Sequence, residues 1–183
     1  KPGTVINDIA SHEDMLPTLL AAVGDTTVVE DLKQGRRVGG MNYKVHIDGY
    51  NLLPALTGQE DWPHESFIYW TDDGSVAALR YNNWKITFLR QDHEGLRVWQ
   101  EPFVALRAPM LTNLRMDPFE VAHEIGMGYD RFFVEHMFIF APASAYVGNW
   151  LQSFREFPPR QKPGSFNLDN VMEAVTKPQG AGN

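Results

Sequence analysis

The sequence predicts an α+β fold: a small antiparallel sheet of about four strands, arranged as a meander and packed with helices. Three observations carry this. Apolar residues recur at helical spacing towards both ends of the 183-residue chain, and short strand-like runs joined by very short turns lie between them. Eleven Phe, five Trp and six Tyr are spread along the chain, so the core is expected to be aromatic-rich. A chain of this length can bury a core as one domain or as a domain plus an extension.

The elements follow in order. From Ser11 to Gly24 the apolar Leu16, Leu19, Leu20 and Val23 share one helical face, the face expected to be buried. Ser11 with Asp14 three residues on resembles a capping box, Gly24 supplies a left-handed stop, and Pro17 in the first turn costs at most a local kink. A more polar helix is expected from Thr26 or Thr27 to Lys33, closed by Gly35, with a Gly39-Gly40 loop after it. Tyr43 to Gly49 alternates like a short strand, Asn51 to Leu56 suits one or two helical turns, and Gly58 to His64 reads as a loop.

Ser66 to Thr71, Ser75 to Tyr81 and Trp84 to Gln91 are strand-like, with Asp73-Gly74 and Asn82-Asn83 as two-residue hairpin turns. Runs at Arg97 to Trp99 and Met110 to Arg115 extend the meander. Tyr129 to Phe140, and then Ala143, Tyr146, Val147, Trp150, Leu151 and Phe154 at helical spacing, predict two helices packed on the sheet and ended by Pro158-Pro159. A last short helix over Leu168 to Val175 precedes a disordered Pro/Gly tail.

A formal charge of -7 argues against a nucleic-acid partner, which needs a basic face. No run of about eighteen apolar residues exists, and the N-terminus lacks the apolar stretch of an export signal. The absence of cysteine excludes disulfides, thiolate zinc sites and cysteine nucleophiles within these residues. The chain starts at Lys1 rather than Met, and a fragment is expected.

A search for chemistry finds no Ser or Thr beside a His in a Gly-rich elbow. Ser11-His12 reads as a helix cap and a surface histidine. Of the two His-x-Asp pairs, His12/Asp14 and His46/Asp48, only the second could place both side chains on one face of a strand for metal ligation. His46 reads better as a residue on the rim of a substrate site. Asp72-Asp73-Gly74 reads as turn chemistry rather than a cation site. Arg80, Lys85, Arg90 and Arg115 could hold a sulfate or phosphate, but no phosphate loop frames them and a solvated sheet face explains them better.

Several segments, in this order, resemble the end of the sulfatase family. Pro2-Gly3-Thr4-Val5 and Ser11 to Gly24 are similar to its Pro-Gly-x-Val and Ser-His-x-Asp-x-Leu-Pro-Thr-Leu-Leu segments. Asp48 to Gly58 resembles its Asp-Gly segment, which ends in a leucine-rich turn. Ala78 to Ile86 resembles its Arg, turn, Trp-Lys hairpin, and Leu111 to Glu120 its Asn-Leu-x-x-Asp-Pro-x-Glu signature. Pro142 to Gly148 and Phe157 to Gln161 resemble one bacterial arylsulfatase-like branch.

The resemblance implies an enzyme of the alkaline phosphatase-like superfamily that hydrolyses sulfate esters, aryl sulfates among them, with a formylglycine made from Cys or Ser in Cys/Ser-x-Pro-x-Arg. None of the twelve prolines here has Cys or Ser two positions before it, so no catalytic residue is carried over. The calcium and formylglycine of the intact enzyme, with the Lys and His that grip the sulfate, belong to the region before residue 1. No cofactor or metal is therefore expected in this chain, and it should be inactive alone.

On this reading residues 1–40 are a closing strand and helix that pack on the missing N-terminal catalytic domain. Residues 41–157 form the C-terminal antiparallel-sheet subdomain with helices, and 158–183 an extension and tail. Without that partner the N-terminal apolar face predicts self-association. A periplasmic or secreted parent stays open. The alternative is a free-standing carbohydrate-binding or interaction module whose exposed aromatics stack on sugars.

Overall fold

Four strands in chain order, each antiparallel to its neighbour, build the meander that the turn pattern predicts. The structure is a computed structural model and describes residues 3–159. The strands are β3 (Ser66–Trp70), β4 (Val76–Tyr81), β5 (Trp84–Arg90) and β6 (Val104–Asn113). Register places Ile68, Leu79, Ile86 and Leu111 in one cross-strand row, and all four are buried. Side chains alternate across a strand, so this row defines one face. Helices α5 (Tyr129–His136) and α6 (Phe140–Leu151) cover that face. Ala143 completes the buried cluster, and Phe132, Phe133, Phe140 and Trp150 pack around it. The two covering helices match expectation, whereas the aromatic-rich core does not form: the buried residues of the cluster are aliphatic, and the aromatic rings pack around them only partly buried.

The turns show what the dipeptide signals fixed and missed. Tyr81 pairs with Trp84, so Asn82-Asn83 is a two-residue loop, with Asn82 at φ 49°. At the other hairpin the Thr71 N–H donates to the Ser75 carbonyl at 2.9 Å, leaving three residues, Asp72-Asp73-Gly74, in the loop. Gly74 takes φ 79°, the left-handed position that closes a three-residue hairpin. The Arg97 to Trp99 run is not a strand but part of a 3-10 turn, Gly95–Trp99. β6 instead starts at Val104 and is longer than Met110 to Arg115 suggested. It carries Pro109, which has no N–H to donate and which an edge strand tolerates because one side of it has no neighbouring strand to bond.

Before the sheet lie α1 (Met15–Ala22), α2 (Val28–Gln34), a hairpin of β1 (Arg36–Val38) and β2 (Met41–Tyr43), and α3 (Leu53–Thr57). Gly39 and Gly40, both at positive φ, form the two-residue turn of that hairpin, which runs across residue 40. The strand expected over Tyr43 to Gly49 is not formed. The chain leaves β2 after Tyr43, and the Val45 N–H donates to the Leu32 carbonyl at 2.9 Å, docking the segment on α2. Alternation records an extended segment with two faces, not the presence of a partner strand. Likewise no strand forms over residues 4–10 among the described residues.

Helix α1 turns its apolar stripe away from the rest of this chain, leaving exposed the face that is expected to pack on a partner. Asp14, Pro17, Thr18 and Ala21 are buried, while Leu16 is 51% exposed, Leu19 64% and Val23 81%. The rest of this chain packs on the small and polar side of the helix. The last helix expected at Leu168 to Val175, and the tail, lie outside the described residues.

Candidate functional site

The most deeply buried polar group is Asp14, fully enclosed at the start of α1. Its Oδ2 accepts the Ser11 N–H at 2.7 Å, and the Ser11 hydroxyl accepts the Glu13 N–H at 3.4 Å, so the capping box expected from sequence is present. Its Oδ1 reaches across the fold, accepting the Tyr50 N–H at 2.8 Å and facing His64 Nε2 at 2.8 Å. His64 Nδ1 faces the Ser66 carbonyl at 3.2 Å. Both ring nitrogens thus face an oxygen atom. One turn on, the Thr18 hydroxyl accepts the Leu52 N–H at 2.9 Å and donates to the Tyr50 carbonyl at 3.3 Å. A Cβ on Gly49 would lie 2.0 Å from the Glu13 carbonyl oxygen, so only glycine lets the chain pass.

A second junction ties the sheet to the chain after β6. Lys85 donates to both carboxylate oxygens of Glu120, at 2.8 and 2.7 Å, with its ammonium 5.0 Å from the Tyr69 ring centre. Asp117 accepts the Val121 and Ala122 N–H groups at 3.1 and 2.8 Å, and Asn113 Oδ1 accepts the Arg115 N–H at 3.1 Å. Contrary to the solvated face expected for it, Lys85, with a side chain 19% exposed, is one half of a partly buried ion pair. Arg80 donates to the Asn82 carbonyl at 3.1 Å and Arg90 pairs with Asp92. These cations are engaged within the chain and do not converge on an anion site.

Two hollows meet at Asp48. One, of about 470 Å³, is bounded by Lys44, His46, Asp48, Phe154 and Phe157. His46 lines it, and its Nδ1 contacts Asp48 Oδ1 at 2.8 Å, so the pair bonds to itself instead of presenting two ligands side by side. The other hollow, of about 140 Å³, is lined by Glu13, Asp48, Tyr50, Trp70, Tyr146 and others. Loss of solvent around Glu13, then the charges of Asp48 and Asp14, push its carboxyl above the usual range. The Ser66 and Tyr146 hydroxyls lie 2.5 Å apart.

Ser11-His12 stays a cap and an exposed histidine. Asp72 and Asp73 occupy the hairpin loop, where the Thr71 hydroxyl accepts the Ser75 N–H at 3.1 Å. Among the described residues no group of three or more His, Cys, Asp or Glu side chains could hold a metal ion. His64 and Tyr50 were missed by sequence reading. Nothing local marks His64, because its partner Asp14 is 50 residues away.

No model of a known protein family matches the chain, and no curated protein matches it.

Proposed function

We propose that this chain is the C-terminal, non-catalytic part of a sulfatase, which supports the hydrolysis of sulfate esters when joined to an N-terminal catalytic domain carrying the formylglycine and calcium. One observation above all supports the reading: the four motif segments meet in two pairs. Asp14 and Thr18 of the Ser-His-x-Asp-x-Leu-Pro-Thr segment bond the backbone of Tyr50 and Leu52 in the Asp-Gly segment. Lys85 of the Trp-Lys hairpin bonds Glu120 of the Asn-Leu-x-x-Asp-Pro-x-Glu segment. Motif residues that hold each other explain why such a pattern would persist in a chain without a nucleophile. The outward apolar face of α1 is a further support, since a catalytic domain is a suitable cover for Leu16, Leu19 and Val23.

The test is turnover of a chromogenic aryl sulfate. The chain alone should give none above a buffer blank, and the chain expressed with the polypeptide encoded before Lys1, after formylglycine formation, should give turnover. Activity from the chain alone, or an upstream coding sequence without Cys or Ser-x-Pro-x-Arg, sinks the reading.

A further inference from the structure

We propose that the two hollows form one groove that binds an uncharged sugar unit, a property that goes beyond the sulfatase reading and does not rest on it. The hollows share Asp48 as a common wall. Aromatic rings run along them: Trp70 packs with its ring centre 5.3 Å from Trp150 and 5.6 Å from Phe154, and Phe157 lies 5.5 Å from the His46 ring. Trp70 and Tyr50 keep 36% and 44% of their surface exposed, so ring surface remains for a ligand.

Sugar rings present apolar C–H faces bordered by hydroxyls. They are held by flat aromatic faces together with side-chain acceptors, and this groove offers both. Asp48 and Glu13 can each accept a hydroxyl proton. Asp48 also orients His46 through Nδ1, and among the described residues nothing bonds Nε2, which is left to meet a ligand hydroxyl. The Ser66 and Tyr146 hydroxyls add a donor and acceptor pair at the smaller end.

Charge selects the class of ligand. The ammonium of Lys44 is paired with Glu156 at 3.2 Å and His46 with Asp48, while Glu13 brings a further carboxylate, so an anionic ring meets more repulsion than attraction. A neutral, hydroxyl-rich ring matches what remains.

Cellobiose titrated into the full chain, followed by tryptophan fluorescence and saturation-transfer NMR, tests this. Saturable binding in the millimolar range is expected, with Asp48→Asn and His46→Ala each weakening it about tenfold. Both positions are partly exposed, and a circular dichroism spectrum establishes that the variants fold. Absence of saturable binding, binding unchanged in both folded variants, or tighter binding of glucose 6-sulfate or glucosamine than of glucose overturns the proposal. None of these outcomes touches the sulfatase reading, whose readout is turnover.

Discussion

At the residue scale, Asp14 shows how one side chain can serve a local and a long-range role together. As a capping residue it needs only Ser11, and that part was legible because a Ser and an Asp three positions apart are a local signal. Its bonds to Tyr50 and His64 were not legible, since sequence spacing carries no information on which distant donor a buried carboxylate will find. Removing it would leave His64 and two backbone N–H groups without their acceptor in an enclosed site. Breaking a buried pair in this way costs about 3–5 kcal/mol. Asp14→Ala should therefore lower the urea unfolding free energy by that order, with an unchanged slope if unfolding stays two-state. A loss below about 1 kcal/mol, the surface range, would show that the pair contributes little.

At the element scale, the strands of the sheet were largely legible because each has an alternating pattern bounded by residues suited to tight turns. What escaped depended on pairing: β1 and β2 are too short to show a period, and Tyr43 to Gly49 has a period but no partner. Edge protection was equally hidden. The backbone of Leu111 on edge strand β6 has its N–H and its carbonyl both met by the Tyr129 hydroxyl, at 3.1 and 3.2 Å, so α5 closes a stretch of strand that could otherwise recruit another chain. Tyr129→Phe keeps the ring and exposes these two groups, and should cost about 1–2 kcal/mol. Faster amide exchange at Leu111, measured by NMR, should accompany the loss; protection equal to that of the parent would refute the role given to this hydroxyl.

At the scale of the whole molecule, the clearest feature is α1 with its leucines turned outward. Periodicity identified the apolar stripe, but which side meets the chain was decided by Thr18 and Asp14 bonding the 50–52 backbone, and no hydropathy pattern contains that choice. The candidate site had the same limit: His46 could be singled out locally, while the aromatic wall beside it, Phe154 and Phe157, comes from the 3-10 turn Gln152–Arg155 and the residues after it, over 100 residues along the chain. The exposed stripe should make the isolated chain self-associate. Leu19→Glu, at a position 64% exposed, should shift size-exclusion elution towards monomer while altering stability by no more than about 0.5 kcal/mol. An elution volume unchanged by the substitution would remove α1 as the contact.

The pairing of the motif segments also bears on how the chain finds its fold. Asp14 to Tyr50 spans 36 residues and Lys85 to Glu120 spans 35, and the two spans do not overlap. The entropy of closing a loop depends on its length only logarithmically, so the two closures carry nearly the same cost and neither has to wait for the other. During synthesis the first can form before the second has left the ribosome. The N-terminal junction is then in place, with its leucines already outward, when the sheet begins to assemble.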